Sequence, residues 1–321
     1  MKHGSEDLDF GTDGVLYVAE AGVGGSGPCQ TGPEGEACFG LTGGVSSVIQ
    51  GAVTRVVTGL PSYAPADGTG ATGPHDVAEA ARQFLVTIGL GGDPEFRAGF
   101  GADAAWLGHL IRAKGTTVQS IVDLAAFEAA NNPDKGEVDS NPYGLAVAGS
   151  RTLVTDAGGN DLLSVSNAGN VGVVAVFPDR AVDFPFPRFP MQAVPTTVTV
   201  GPDGASYVGQ LTGFPFPVGG ANVYRVAHGQ GPRIYASGFT NIIDIEFADD
   251  GTLYVLEIAT DSLLAGGPGG LWTVPPGGGA GTRILTDPLL FPGGLEFGPD
   301  GALYITNLPI FPDGQVLRLD W

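Results

Sequence analysis

The sequence predicts an all-β fold, a single six-bladed β-propeller domain over residues 1–321. A two-strand pattern occurs six times, with apolar residues at alternate positions on both sides of a turn. The copies lie about 40 to 50 residues apart, the spacing typical of propeller blades, except where two early inserts lengthen it. The 54 Gly and 25 Pro separate the apolar runs, as many short strands and turns require.

The clearest copy is Gly294–Asn307, which reads GLEFGPDGALYITN. Its Pro-Asp-Gly turn supplies the positive φ that a tight hairpin between twisted strands needs. The other copies span 6–20, 74–88, 142–156, 195–210 and 242–257. With their outer strands they predict blades at 6–60, 73–124, 141–178, 194–238, 241–287 and 291–321, and the segment 125–131 predicts a short helix.

The sixth blade is predicted to lack its outer strand. Its segments provide three strands, and the first repeat begins at Glu6, so almost nothing upstream could supply a fourth. We therefore expect a three-stranded last blade, or an edge covered by a partner chain, because an exposed strand edge invites pairing.

Composition limits the partners of the chain. A formal net charge of −20 argues against nucleic acid and anionic membranes, and it favours cations. The alternatives are a highly soluble surface or adaptation to salt. No apolar run is long enough to span a bilayer.

Both cysteines, Cys29 and Cys38, lie in one Gly/Pro-rich insert of the first blade. The insert has no His or further Cys beside them, so a disulfide is favoured over a zinc site, and free thiols are the alternative. A disulfide would contribute about 2–3 kcal/mol in the chain-entropy model. It would also indicate a secreted or periplasmic protein.

Polar residues close the second strand of most blades. In a propeller the ends of the second strands lie on the face that also carries the loops between blades, around the mouth of the central channel. Three carboxylates aimed at one axis would repel one another unless a cation lay between them, and oxygen ligands suit Ca²⁺ or Mg²⁺. The predicted metal ligands are Glu20, Asp156, Gln210, Glu257 and Asn307, whereas blade two ends on Ile88.

Two alternatives apply to this ring of ligands. The residues could simply end strands in water, and Asp156 could organise the turn of the sequence DAGGND. Asp76 and Asp244, in the next register of their first strands, are weaker candidates for the site.

His75, at the start of the first strand of blade two, is the predicted general acid or base, with Glu257 as the second catalytic candidate. A structural, hydrogen-bonded histidine is the alternative. Two Phe/Pro loops near blade four are predicted to form an apolar wall for a substrate, or else to pack on each other as a small separate core. Their aromatic residues are Phe184, Phe186, Phe214 and Phe216.

Several longer segments resemble the ScyD/ScyE family, propeller proteins associated with scytonemin biosynthesis loci. These segments include GSGPCQTGPEGEACFGLTG, AAFEAANNPDKGEVDSNPYGL, GQLTGFPFPVGGANVYRV and GFTNIIDIEFADDGTLYVLEIA. The resemblance covers nearly the whole chain and implies a propeller fold and export. The family usually has Glu where this chain has Gln210. More distantly, the arrangement of His and Glu around an axis resembles the NHL and SMP-30-like propellers, including virginiamycin B lyase and gluconolactonase-like hydrolases.

Together these patterns predict a metal-dependent hydrolase or lyase that acts on a small, partly apolar or aromatic molecule at the channel mouth. The alternative is a non-catalytic propeller that binds a ligand or a protein and keeps a structural metal.

Overall fold

The computed structural model describes residues 4–32, 35–184, 186–285 and 289–320. Six antiparallel sheets surround a central channel, and the first strand of each sheet lines that channel. The predicted six-bladed β-propeller is therefore confirmed.

The first three blades each contain at least four strands. Blade one contains β1 (Gly4–Phe10), β2 (Leu16–Gly22), β3 (Cys29–Gly32), β4 (Gly35–Ile49) and β5 (Ala52–Ala64). Blade two contains β6 (Pro74–Ala80), β7 (Gln83–Ile88), β8 (His109–Lys114) and β9 (Thr117–Asp123). Blade three contains β10 (Pro142–Ala148), β11 (Arg151–Asp156), β12 (Asp161–Ser166) and β13 (Val171–Val176).

A two-stranded ribbon, β14 (Arg180–Val182) and β15 (Phe189–Met191), leads into the second half of the ring. Blade four contains β16 (Pro195–Val200), β17 (Ser206–Gln210), β18 (Ala221–Val226) and β19 (Arg233–Phe239). Blade five contains β20 (Ile242–Phe247), β21 (Leu253–Glu257), β22 (Gly270–Val274) and, after a short strand β23 (Gly279–Ala280) that pairs in parallel with β19, β24 (Thr282–Leu285). Blade six contains β25 (Leu295–Phe297), β26 (Leu303–Asn307) and β27 (Gln315–Leu319).

Helices are short and lie beside blades two and three. Helix α1 (Pro94–Gly99) and a 3₁₀ turn at Ala102–Ala104 follow β7, and helix α2 (Leu124–Asn131) follows β9. The helix predicted at 125–131 is therefore confirmed. Asp123 caps α2 by accepting a hydrogen bond from Ala126 N, and Asn132 ends the helix in the left-handed conformation. None of the helices described is long and apolar enough to cross a bilayer.

The ring closes between blade six and blade one. Blade six has three strands within the described part of the chain, as predicted. Thr306 Oγ1 donates a hydrogen bond to the Glu6 carbonyl over 2.5 Å, and the rings of Phe10 and Tyr304 meet edge to face at 5.0 Å. Contacts between blade one and the three-stranded blade six therefore close the ring.

The first insert is a β-hairpin and not the loop that its Gly and Pro content suggests. Cys29 on β3 and Cys38 on β4 lie opposite each other and form the predicted disulfide. Phe39, the next residue on β4, packs with Phe100 from the second insert in the largest apolar cluster. The two inserts thus stabilise each other.

Candidate functional site

The polar residues that close the second strands are held within their own blades. Glu20, only 2% exposed, forms an ion pair with Arg55 on the outer strand of blade one. Arg55 reaches it across Gly44, whose Cβ position would lie 3.0 Å from the guanidinium carbon. A glycine at this point is therefore what allows Glu20 to be neutralised inside the sheet.

Blade five has a similar arrangement of a glutamate, a glycine and an arginine, without an ion pair among the described contacts. Glu257 pairs with Gly270, and the Cβ position of this glycine would lie 3.4 Å from Glu257 Oε2 and 3.5 Å from Arg283 Nε. Glu257 Oε1 accepts a hydrogen bond from Thr240 N at 2.6 Å. Burial raises the pKa of Glu257 to about 7, against hydrogen bonds from Thr240 and Trp272 and the charge of Arg283, which lower it.

The other three residues stabilise nearby loops. Asp156 accepts hydrogen bonds from Ser140 Oγ and from the amides of Asn141, Gly158 and Gly159, so it organises a turn, the alternative considered above. Gln210 Oε1 accepts from Asn222, and Asn307 Oδ1 accepts from Leu290 N at 2.7 Å.

The expected ring of ligands around the channel mouth is therefore not formed by these five residues. Each already has partners in its own blade or in an adjoining loop. Among all described residues, no three His, Cys, Asp or Glu side chains are arranged as a ready-made metal site. The predicted donor set does not fit a shared cation.

The channel is lined by the first strands instead. A cavity of about 230 Å³ on the propeller axis is bounded by β1, β6, β10, β16, β20 and β25. We call its carboxylates the axial cluster; it consists of Asp7, Asp9, Asp76, Glu79, Asp244, Glu246 and Glu296. Within the described residues, none of the ion pairs involves a member of this cluster. The axis thus concentrates acidic side chains without a cationic side chain paired to them.

Two axial carboxylates connect neighbouring blades. Asp76 Oδ2 accepts a hydrogen bond at 2.5 Å from Leu145 N, on the first strand of blade three. Asp244 Oδ2 accepts at 2.7 Å from Leu295 N, on the first strand of blade six. Both residues also bind the amide that follows them, at an irregular point of the strand pairing. These carboxylates therefore have a structural role besides their charge.

Burial and mutual repulsion raise the pKa values along the axis. The pKa of Asp7 lies well above its usual range because the carboxyl is buried and faces Asp244 and Asp76. Burial raises the pKa of Asp9 to about 6 and that of Glu246 to about 7. Burial and the charge of Glu246 raise the pKa of Glu296 to about 10. The cluster shares protons at neutral pH and would gain from a cation.

Three further titratable groups meet at the end of the axis where the first strands begin. His75 is 5% exposed, its Nδ1 lies 3.0 Å from Pro142 O, and its ring stacks on Tyr143 with centroids 4.3 Å apart. Burial lowers the pKa of His75 to about 4. Burial raises the pKa of Glu6 to about 7, opposed by a hydrogen bond with Tyr143. Burial therefore lowers the pKa of the His75 imidazole and raises that of the Glu6 carboxyl, and both groups contact Tyr143.

The aromatic loops pack as a ladder of edge-to-face rings. Centroid distances are 5.2 Å from Phe186 to Phe189, 5.6 Å from Phe189 to Phe214 and 6.4 Å from Phe214 to Phe216. The rings thus pack on one another, yet Phe184 and Phe186 remain 59% and 57% exposed. Pro185, in the first loop, lies outside the described residues. By topology the ladder lies on the same face of the disk as His75.

Sequence reasoning ranked Asp76 and Asp244 low and did not select the other axial residues. A signal existed. The first strands contain Asp7-Leu8-Asp9 and Asp244-Ile245-Glu246, in which two acids two positions apart share one face of a strand. That shared face is the one that lines the channel.

Comparisons with known proteins show the fold. No family model and no curated protein sequence matches the chain. A solved glucose dehydrogenase is similar over 99% of this chain and 97% of its own, with 13% identity and a TM-score of 0.62. A putative oxidoreductase (glucose dehydrogenase) from Thermus thermophilus has 14% identity and a TM-score of 0.61, covering 99% and 97% of the two chains. Virginiamycin B lyase from Staphylococcus aureus, solved with quinupristin, has 11% identity and a TM-score of 0.53, covering 99% and 84%.

Proposed function

We propose that this chain is an exported member of the ScyD/ScyE family and an acid–base enzyme that hydrolyses, or eliminates a group from, a small and partly aromatic molecule. The single observation that supports this most strongly is the contact of His75, Tyr143 and Glu6 at the end of the axis. Groups whose pKa values are displaced in opposite directions at one point are typical of acid–base centres.

His75 is the proposed general base. The Pro142 carbonyl accepts a hydrogen bond from Nδ1–H, which leaves Nε2 as the nitrogen that can accept a proton. The lowered pKa keeps the imidazole neutral near pH 7. Glu6, with a pKa of about 7, is the proposed acid, because it holds a proton in a large fraction of molecules at that pH. Glu257 remains a weaker catalytic candidate, since Thr240 and its own sheet hold it.

A divalent cation, Ca²⁺ or Mg²⁺, is proposed to bind on the axis. Asp7, Asp76 and Asp244 would attract it, because their oxygens are hard donors and their charges repel one another in a buried setting. Water would complete the coordination, since no three acidic side chains in the described part of the chain are arranged as ready-made ligands. When bound, the ion would polarise a substrate oxygen. The aromatic ladder would bind the apolar part of the substrate, through Phe184, Phe186, Phe214 and Phe216.

Hydrolysis of p-nitrophenyl acetate, phenyl acetate and an aromatic lactone tests this proposal, each with CaCl₂, MgCl₂ or EDTA. We expect turnover that rises with the cation and falls at least 100-fold in His75→Gln, whose amide cannot take up a proton. His228→Gln is the matched control, since it changes a histidine away from the axis. Equal activity in His75→Gln and the unaltered chain would contradict the role of His75.

The exposed aromatic ladder favours a second candidate function, a non-catalytic propeller that binds a ligand. In that case none of the substrates would be turned over under any condition. Binding of an aromatic probe such as p-nitrophenol would still weaken in Phe214→Ala, because Phe214 contacts the rings of both loops. Absence of turnover together with this binding would replace the enzyme proposal by the binding one.

A further inference from the structure

A second group of acids lies away from the axis, where α2 meets blade three. We call it the corner cluster; it consists of Glu128, Asp134, Asp139, Asp156 and Asp161. It surrounds the turn between β11 and β12, whose sequence is DAGGND. None of its members takes part in an ion pair within the described ranges.

Buried oxygen atoms without partners distinguish this cluster from an ordinary acidic surface. Asp161 is 1% exposed and Glu128 is 2% exposed. Both carboxylate oxygens of Asp161 and Oε1 of Glu128 are buried and have no hydrogen-bond partner among the described residues. The same holds for Asn132 Oδ1 and Asp139 Oδ1. A buried polar atom without a partner costs about 1–3 kcal/mol, and more when charged, so five in one place require an explanation.

Two glycines bring these oxygens close to the turn. A Cβ on Gly159 would lie 3.2 Å from Glu128 Oε2 and 3.4 Å from Asp156 Cγ. A Cβ on Gly158 would lie 2.8 Å from Asp139 Oδ1. Any larger residue at either position would push a carboxylate away. The turn therefore forms a cradle into which side chains of α2 and of the following loop project.

The donors come from three directions. Asn132 is the left-handed C-cap of α2, and its backbone N donates to the Glu128 carbonyl at 2.8 Å, so both residues lie at the end of this helix. Asp161 begins β12 and lies close enough to Glu128 and Asp156 that their charges raise its pKa further above the level set by burial. Asp156 itself is committed to four donors of the turn and serves as its frame. The cradle is thus rigid on one side and has free oxygens on the other.

We propose that the corner cluster is a Ca²⁺ site, in which Asp161, Glu128 and the amide oxygen of Asn132 bind the ion and water completes the coordination. Carboxylates, amide oxygens and water at six to eight positions are the ligands that Ca²⁺ prefers, and Mg²⁺ requires a stricter octahedron. Two direct carboxylates agree with the absence of any group of three acidic, His or Cys ligands in the described chain. The ion would join α2 to blade three.

Protonation does not explain the cluster equally well. A proton on Asp161 would create a buried donor that also needs an acceptor, and both oxygens of this residue lack partners among the described residues. Asp134 already accepts hydrogen bonds from Asn160 Nδ2 at 3.0 Å and from Gly136 N at 2.8 Å. A cation satisfies several oxygens at once.

Calcium binding to the intact chain tests the proposal. After removal of metals with EDTA and dialysis, CaCl₂ and MgCl₂ are titrated by calorimetry, and bound calcium is counted by mass spectrometry. We expect Asp161→Asn and Glu128→Gln each to bind one calcium fewer, or to bind it at least 10-fold more weakly. Glu137→Gln is the matched control, because it removes an exposed carboxylate of the same loop, and it should bind like the unaltered chain.

Thermal unfolding separates the corner site from the axis when Asp161→Asn and Asp244→Asn are compared. Calcium should raise the Tm of Asp244→Asn by about 5 °C at saturating concentration, and Asp161→Asn should lose this contribution. Without metal, Asp161→Asn should melt at the same temperature or higher, because it removes a buried charge that nothing neutralises. Asp244→Asn, on the axis, should keep the corner calcium, which separates this site from the proposed axial ion.

Three results would overturn the proposal. The first is that the unaltered chain binds no calcium at about 1 mM, the weak end of the range for protein calcium sites. The second is that Asp161→Asn binds calcium with the same stoichiometry and affinity as the unaltered chain. The third is a Tm of Asp244→Asn, which keeps the corner cluster, that calcium does not change. If Asp161→Asn does not fold, Gly159→Ala gives the same decision, since its methyl group would displace the Glu128 carboxylate.

Discussion

Stability at neutral pH should fall as pH rises, and the axial cluster is the reason. Most of its carboxylates have pKa values that are higher in the folded chain than in the unfolded chain. Between the unfolded and the folded pKa of such a group, the folded state therefore holds more protons than the unfolded state. The free energy of unfolding therefore decreases with pH across that window. For Glu246 the window extends from about 4.5 to about 7, and for Asp9 from 3.8 to about 6.

His75 acts in the opposite direction over part of this range. Its folded pKa of about 4 lies below the ordinary histidine value of 6.5, so the unfolded state binds the extra proton and stability rises with pH up to that point. Above about pH 6.5 this opposition ends. The interval from about pH 6.5 to 8 is therefore where the carboxylates act alone.

Each proton in excess on the folded state contributes about 1.4 kcal/mol per pH unit. Glu6 and Glu246 still titrate near pH 7, and Glu296, with a pKa of about 10, keeps its proton throughout, so we expect a loss of about 2–4 kcal/mol between about pH 6.5 and 8. Urea unfolding at a series of pH values, in EDTA and low salt, measures it. Glu246→Gln should reduce the slope by up to one proton, whereas Glu137→Gln should leave it unchanged. A flat or rising profile would refute the assignment of buried, unneutralised acids to the axis.

Two substitutions test the packing that places these charges. Arg55→Leu leaves Glu20 buried without its partner and should lower the free energy of unfolding, measured with urea, by about 3–5 kcal/mol. Adding Glu20→Leu should restore most of this loss. A loss below about 1 kcal/mol in Arg55→Leu would contradict the buried pair. Gly294→Ala would place a Cβ 2.1 Å from Asp7 Oδ1 and 2.9 Å from Asp7 Cα, so it should cost about 1–3 kcal/mol in the same assay. Gly172→Ala meets nothing within 4 Å and should change stability by no more than about 0.5 kcal/mol, so equal effects of the two would contradict the close approach at Gly294.

The fold could be predicted from the sequence because its signals are local. The turn at Asp300-Gly301 has the expected positive φ at Gly301, and Asp300 Oδ1 accepts a hydrogen bond from Ala302 N. The three strands of the last blade in the described chain correspond to the three strand segments that the sequence shows there. The pairing of Cys29 with Cys38 also followed from their closeness in sequence, although the hairpin that carries them did not, because its Gly and Pro hide its strands.

The site was harder to predict because a repeated polar residue need not face the axis. Glu20 and Glu257 recur at equivalent positions because each lies opposite a glycine that gives access to an arginine, a relation between three strands that no single repeat reveals. Gln210 accepts from the amide of Asn222 on the next strand of its blade, and Asn307 accepts from the amide of Leu290 in the connecting loop, so each satisfies a backbone group close to it. The residues that do line the channel come from the first strands of different blades, so their proximity follows only from closure of the ring.

Several axial carboxylates both carry charge and hold neighbouring blades together, so a substitution there changes both properties at once. Asp76 and Asp244 each bind an amide of the next blade, and Asp9 accepts from Glu79 N at 2.9 Å between blades one and two. Replacing Asp76 or Asp244 would therefore remove a carboxylate of the proposed cation site and a connection between blades together. His75 also reaches the next blade, through Nδ1 and the Pro142 carbonyl, but His75→Gln keeps an amide N–H that can donate to that carbonyl. A loss of activity in His75→Gln with an unchanged Tm would consequently report on chemistry, whereas the same loss in Asp244→Asn would not distinguish chemistry from stability.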